Sequence, residues 1–323
     1  MTAKMTKKER IIAAIRGEDV DGIPSGFFMH FPPECVSGDE AVKAHLDFFR
    51  DTDADIAKIM NENLIPAMPE IRTAGDYGNM RGVDGHADFI REQLMLAKEI
   101  RKACKEEVFL VGTIHGIVAS GIHPMEPFMG YEGARQKLCE FLRSAPKKAE
   151  QGLRKIADAM CILAEGYIKA GADGVYYASL GGETDYFTDE EFDRWVRPYD
   201  IQIMQAVRAA GGYCILHICQ KNLNMLRYRG YEKYCDVVNW GVNDAPLSLK
   251  DGKELFQGKT IMGGMKNRSG VFVNGSHEEV RDEVRKVVEE AGRKGFILGA
   301  DCTLFTGQDL SKIRTAVESA RAL

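Results

Sequence analysis

Ala210-Gly211-Gly212-Tyr213-Cys214-Ile215-Leu216-His217-Ile218-Cys219 holds a helix stop, an apolar run and a polar pair in ten residues. Gly211 follows a helical stretch at the place where a left-handed cap favours glycine. Tyr213–Ile218 is short, apolar and bounded by a glycine pair, the pattern of a buried strand. Strand side chains alternate between two faces. His217 and Cys219 therefore share one face, and Cys214, an odd number of positions from each, takes the other.

The same unit recurs along the chain. Ala170-Gly171-Ala172-Asp173-Gly174 stops one helix and opens the next strand, and Thr188-Asp189-Glu190-Glu191 is a capping box opening another helix. Eight runs read as strands: Gly22–Met29, Ala54–Met60, Glu107–Thr113, Gly174–Ser179, Tyr213–Ile218, Asp236–Trp240, Thr260–Gly264 and Gly295–Ala300. Helical patterns lie between most of them, over Glu40–Arg50, Ala87–Lys105, Tyr131–Ala170, Asp189–Ala210, Asn222–Arg229 and Ser276–Lys294, with Gln308–Arg321 closing the chain. Strands that alternate with helices imply a parallel sheet. Eight such units predict an α/β fold, a single (β/α)8 TIM barrel over residues 1–323 with a helical N-terminal extension. A doubly wound open sheet is the competitor. It would place a glycine-rich phosphate loop after the first strand, where the chain instead reads His30-Phe31-Pro32-Pro33-Glu34.

Composition narrows the function classes. The chain has 323 residues, 45% hydrophobic and 28% charged, with a formal net charge of −5 and a pI near 5.9. No basic block gives an electrostatic case for nucleic acid. The Lys4–Arg10 stretch reads as the solvated face of a first helix. No apolar run is long enough to span a membrane, and the N-terminus lacks a signal-peptide apolar region. The eight cysteines are scattered, without disulfide spacing, which suits a reducing cytoplasm.

In such barrels the active site lies at the C-terminal ends of the strands. Residues at or just past those ends are His30, Asn61, Glu62, His115, Glu183, His217, Cys219, Asn239, Asp244, Lys266, Asn267, Asp301 and Cys302. His217, Cys219 and Cys302 form a Cys2His set, the ligands of a catalytic zinc with an open fourth position. The competing reading is a buried histidine beside core cysteines. Cys214 and Cys235 belong to the core or the opposite barrel end. Glu62 and Glu183 are candidate catalytic carboxylates on mouth loops, able to close the fourth zinc position or orient a substrate, or else helix N-terminal charges favoured by the dipole. His30, Asn61, His115 and Asn239 are candidate substrate contacts, His30 and His115 equally readable as hydrogen-bonded structural histidines. Gly181-Gly182 and Gly263-Gly264 would let a ligand approach the backbone closely. Aromatics such as Phe28 and Tyr176 read as core or pocket wall.

The chain resembles the uroporphyrinogen decarboxylase superfamily, and within it the zinc-dependent corrinoid methyltransferases of the methylcobamide:coenzyme M type. The resemblance runs through Thr6-Lys7-Lys8-Glu9-Arg10, Ile15-Arg16-Gly17, Asp53–Met60, Ala170–Gly174, Leu216–Cys219 and Met262-Gly263-Gly264-Met265. His217, Cys219 and Cys302 match that branch's zinc ligands one by one. The decarboxylase's arginine-rich substrate loop has no counterpart in Ser25–Phe31, and guanidinium forks are what a polycarboxylate substrate needs. Gln220 departs from the glycine that often follows His-x-Cys in the methyltransferases. No Asp-x-His-x-x-Gly cobalamin motif is present. The resemblance thus implies a cytoplasmic zinc enzyme whose corrinoid comes on a partner protein, with a small-molecule methyl donor or acceptor. A decarboxylase-like lyase and a non-catalytic corrinoid-associated barrel stay open beside it.

Overall fold

The computed structural model of the protein describes residues 4–60, 64–245 and 247–323. Eight strands form one parallel sheet: β1 (Ser25–Gly26), β2 (Ile56–Lys58), β3 (Phe109–His115), β4 (Gly174–Ser179), β5 (Tyr213–Ile218), β6 (Val237–Trp240), β7 (Thr260–Met265) and β8 (Phe296–Ala300). From β2 to β8 each strand pairs with the next in sequence, and β1 pairs with β8. The result is a (β/α)8 barrel. Its seam lies between β1 and β2, where Asp55 N–H donates to Ser25 O at 3.0 Å and the Asp55 carboxylate accepts from the backbone N–H and hydroxyl of Ser25.

Helix α1 (Lys7–Ile15) precedes the barrel, opened by a Thr6/Glu9 capping box. It is less solvated than its charge suggests. Arg10 is buried, pairing with Asp21 and with the fully buried Asp55, so it braces the β1/β2 seam. A guanidinium carries enough donors to satisfy both carboxylates, which is what makes the burial tolerable.

Helix boundaries differ from the sequence reading where proline intervenes. Tyr131–Ala170 is divided at Ala145 (φ −144°, ψ 62°) between Glu126–Ser144, which is itself kinked at Gly130 (φ 70°, ψ 167°) just before Tyr131, and Pro146–Lys169. Asp189–Ala210 is likewise split, into Asp189–Trp195 and Arg197–Ala209, with Pro198 in the first turn of the second. Proline lacks an amide donor, and before Pro146 it also holds Ala145 outside the helical region. Asn222–Arg229 contains only a short 3-10 turn, Met225–Tyr228, capped by the Asn224 side chain.

The two glycine pairs serve packing and backbone shape. Gly264 has φ 103°, and a Cβ there would lie 2.3 Å from Val287; a Cβ on Gly182 would lie 2.6 Å from Tyr228. Both approaches are to protein side chains, the first on an outer helix, rather than to an open ligand space.

Candidate metal centre

The end of β5 carries His217 and Cys219 inward, as strand alternation requires. The turn after β8 brings Cys302 to them. Cys302 Sγ lies 3.4 Å from His217 Nε2 and 3.9 Å from Cys219 Sγ, and the three ligand atoms all fall within 4.8 Å of one another. Zinc bonds of about 2.3 Å to sulfur and about 2.0–2.1 Å to nitrogen, at tetrahedral angles, require S···S edges of about 3.8 Å and N···S edges of about 3.6 Å. The donor set and its spacing therefore fit one tetrahedral ion with a face left open.

Electrostatics agree with a site that shares its protons. The Cys302 thiol is pulled well below its ordinary value, first by the hydrogen bond from Cys219 and then by His217. The Cys219 thiol is pushed up by the same bond, by burial and by the charges of Cys302 and Glu183. A cation would displace the remaining proton, since thiolates are the metal ligands.

Beside the triad is a cavity of about 540 Å³, lined by residues of the turns after β5, β6, β7 and β8. Gln220, Lys221, Asn243, Asp244, Lys266, Asn267, Arg268, Ser269 and Asp301 form its walls, and His217, Cys219 and Cys302 open into it. Asp301 accepts from Val242 N–H and Asn243 Nδ2. Lys221 lies 3.7 Å from Asp244.

The remaining candidates fall elsewhere. Glu183 is buried, paired with Arg135 and accepting from Gly181 N–H. Arg135 is in turn held against the rings of Tyr131 and Tyr186. His30 is exposed, and its carbonyl accepts from Thr306 Oγ1. His115 ends β3, its ring edge-on to buried His123 at 5.1 Å, beside a separate small hollow. Asn239 is buried below the triad, accepting from the Tyr176 hydroxyl and donating to the Met262 and Ala300 carbonyls. Asn61 and Glu62 lie outside the described residues. None of His30, His115, Glu183 and Asn239 is among the residues lining the cavity.

Two features escaped the sequence. Gln220 adopts φ 86°, a left-handed backbone that explains why glycine suits this position, and its amide donates to Tyr131. Tyr176 stacks on His217, ring centroids 5.3 Å apart and 22° from parallel. The first had a signal, the missing glycine; the second is a through-space contact between strands.

The uroporphyrinogen decarboxylase family model matches residues 58–323. The chain belongs to that family. Among solved structures, this family member is similar to a methyltransferase from Methanosarcina mazei, with TM-score 0.76 at 17% identity over 98% of both chains. It is also similar to a B12-independent methionine synthase from Shewanella sp. W3-18-1, with TM-score 0.60 at 12% identity over 93% of this chain and 97% of that one. At these identities the likeness is one of fold. No protein of curated function matches the sequence. Among the described residues, no helix of this family member is long and apolar enough to cross a membrane.

Proposed function

We propose that this member of the uroporphyrinogen decarboxylase family is a zinc-dependent methyltransferase. It moves a methyl group between a corrinoid, carried as methylcobalamin on a partner protein, and a small thiol or another methyl acceptor or donor. The observation that carries the reading is the convergence of His217 Nε2, Cys219 Sγ and Cys302 Sγ on one open face at the barrel mouth, beside a cavity. The names of two structural neighbours, a methyltransferase and a B12-independent methionine synthase, support the methyl-transfer part of the reading.

His217, Cys219 and Cys302 would hold the ion. When bound, zinc supplies Lewis acidity that favours the deprotonated form of a thiol at its fourth position. The protein's own contribution is electrostatic and geometric. Two cysteine thiolates and a neutral imidazole balance a divalent charge. The cavity walls on the β5–β8 side would hold the acceptor in line with the methyl group, where orientation is worth up to about 7–11 kcal/mol of barrier. In the thiol-methylating direction a thiolate would take the methyl group from methylcobalamin, which would leave as cob(I)alamin with the electron pair of the broken bond, the thiol's proton going to solvent.

The test is spectroscopic. Zinc-loaded protein, methylcobalamin and a panel of small thiols should give loss of the methylcobalamin spectrum and one methylated thiol per cobalt reduced. A corrinoid protein encoded beside this one should accelerate it strongly. No spectral change with any donor, acceptor or corrinoid protein would end the methyltransferase reading.

A further inference from the structure

Metal-bound histidines almost always donate their second ring N–H to a carboxylate, a carbonyl or a water. The Nδ1 of His217 is buried, and no protein group among the described residues bonds to it. The His217 ring is covered by the near-parallel ring of Tyr176.

Tyr176 is itself fixed on several sides. Phe28 meets it edge-on at 5.0 Å, and the Lys58 ammonium lies 5.0 Å from its ring centre. Its hydroxyl donates to Asn239 Oδ1 at 3.0 Å. Asn239 sits opposite His217 in the β5/β6 register. Its amide is anchored to the carbonyls of Met262 on β7 and Ala300 on β8. The chain of contacts from Tyr176 to Ala300 therefore crosses the barrel from β4 to the strand that leads into Cys302.

We infer that Tyr176 and Asn239 are positioning residues for the metal ligand His217, acting through the stacked ring. Stacking fixes the plane of the imidazole, and the hydroxyl–amide link fixes the ring that does the stacking. Because the same amide ties down the end of β8, the device sets the histidine and Cys302 in a common frame. This inference rests on the zinc reading of the site but on no claim about methyl transfer.

The experiment measures zinc affinity by chelator competition, and the visible spectrum of the cobalt(II)-substituted protein, in wild type, Tyr176→Phe, Tyr176→Leu and Asn239→Ala. Circular dichroism and thermal melting establish that each variant is folded. Tyr176→Leu should weaken zinc by about 10–100-fold, the range for loss of an outer-shell partner. Tyr176→Phe keeps the ring and the volume but not the link to Asn239, so its loss should be smaller, and Asn239→Ala, which also frees the ends of β7 and β8, should lose at least as much as Tyr176→Phe. Both should shift the cobalt bands, which a purely structural role would leave in place. If Tyr176→Leu does not fold, Tyr176→Phe and Asn239→Ala decide. Folded variants with wild-type affinity and spectrum would overturn the positioning role alone, whereas wild-type protein that binds neither metal would overturn the zinc reading and the inference with it.

Discussion

Gln220 follows Cys219 with a left-handed backbone, a conformation that costs a residue bearing a Cβ about 1–2 kcal/mol. Substituting glycine removes that strain. It also adds unfolded-state freedom worth about 0.5–1 kcal/mol and deletes the bond to Tyr131, worth about 0.5–1.5 kcal/mol. The terms nearly cancel, so Gln220→Gly should shift stability by less than about 1 kcal/mol and keep its zinc. Gln220→Val, β-branched in the same conformation, should lose about 1–3 kcal/mol. Denaturant unfolding and metal analysis check both. The ligands themselves behave differently. Cys219→Ala and Cys302→Ala should each lose stoichiometric zinc, while Cys214→Ala, fully buried on the other face of β5, should keep it. Retention of zinc by both ligand variants would require a different donor set.

At the scale of elements, helix α2 (Gly38–Thr52) holds the end of β2 through His45. Its Nδ1 contacts Ala41 O at 2.6 Å and its Nε2 accepts from Met60 N–H at 2.8 Å. Only the neutral ring with its proton on Nδ1 satisfies both. Burial pushes this histidine down to about 4 from an ordinary 6.5. The unfolded chain therefore takes up a proton as pH falls through about 6.5, and the folded chain does not until about 4. His45's contribution is complete above pH 6.5 and is lost progressively toward pH 4, roughly 3 kcal/mol at most at 1.36 kcal/mol per unit. Unfolding curves at pH 7.5 and pH 4.5 should show a large drop in the wild type and a smaller one in His45→Gln. Equal drops would place the acid sensitivity elsewhere. Helix α1 makes a comparable contact. Arg10→Met leaves buried Asp55 without its main cation and should cost about 3–5 kcal/mol in the same unfolding assay.

For the whole molecule, the cavity opens on the β5–β8 side of the mouth, with Asn243 and Ser269 in its walls. Ser269→Trp or Asn243→Trp should reduce methyl transfer at least tenfold while zinc stays stoichiometric. Wild-type turnover in both would mean that reactants reach the metal by another route. The barrel itself was legible because it is written in local periodicity: short apolar runs, glycine stops and capping boxes repeat in order, and parallel pairing follows. His217, Cys219 and Cys302 were legible because strand alternation and the strand-end rule place them without coordinates. The helix breaks at Pro146 and Pro198 had a local signal as well, since proline acts on its own backbone. What the sequence alone determined about this protein is thus the order of its strands and helices and the identity of its candidate metal donors. Only the tertiary structure decided that Arg10 turns inward to the β1/β2 seam, that Glu183 is held by Arg135 away from the cavity wall, and that Tyr176 lies flat on His217. The physical reason is that backbone pattern and side-chain alternation act within a few residues. Pairing of charges and stacking of rings depends on which side chains meet across the barrel.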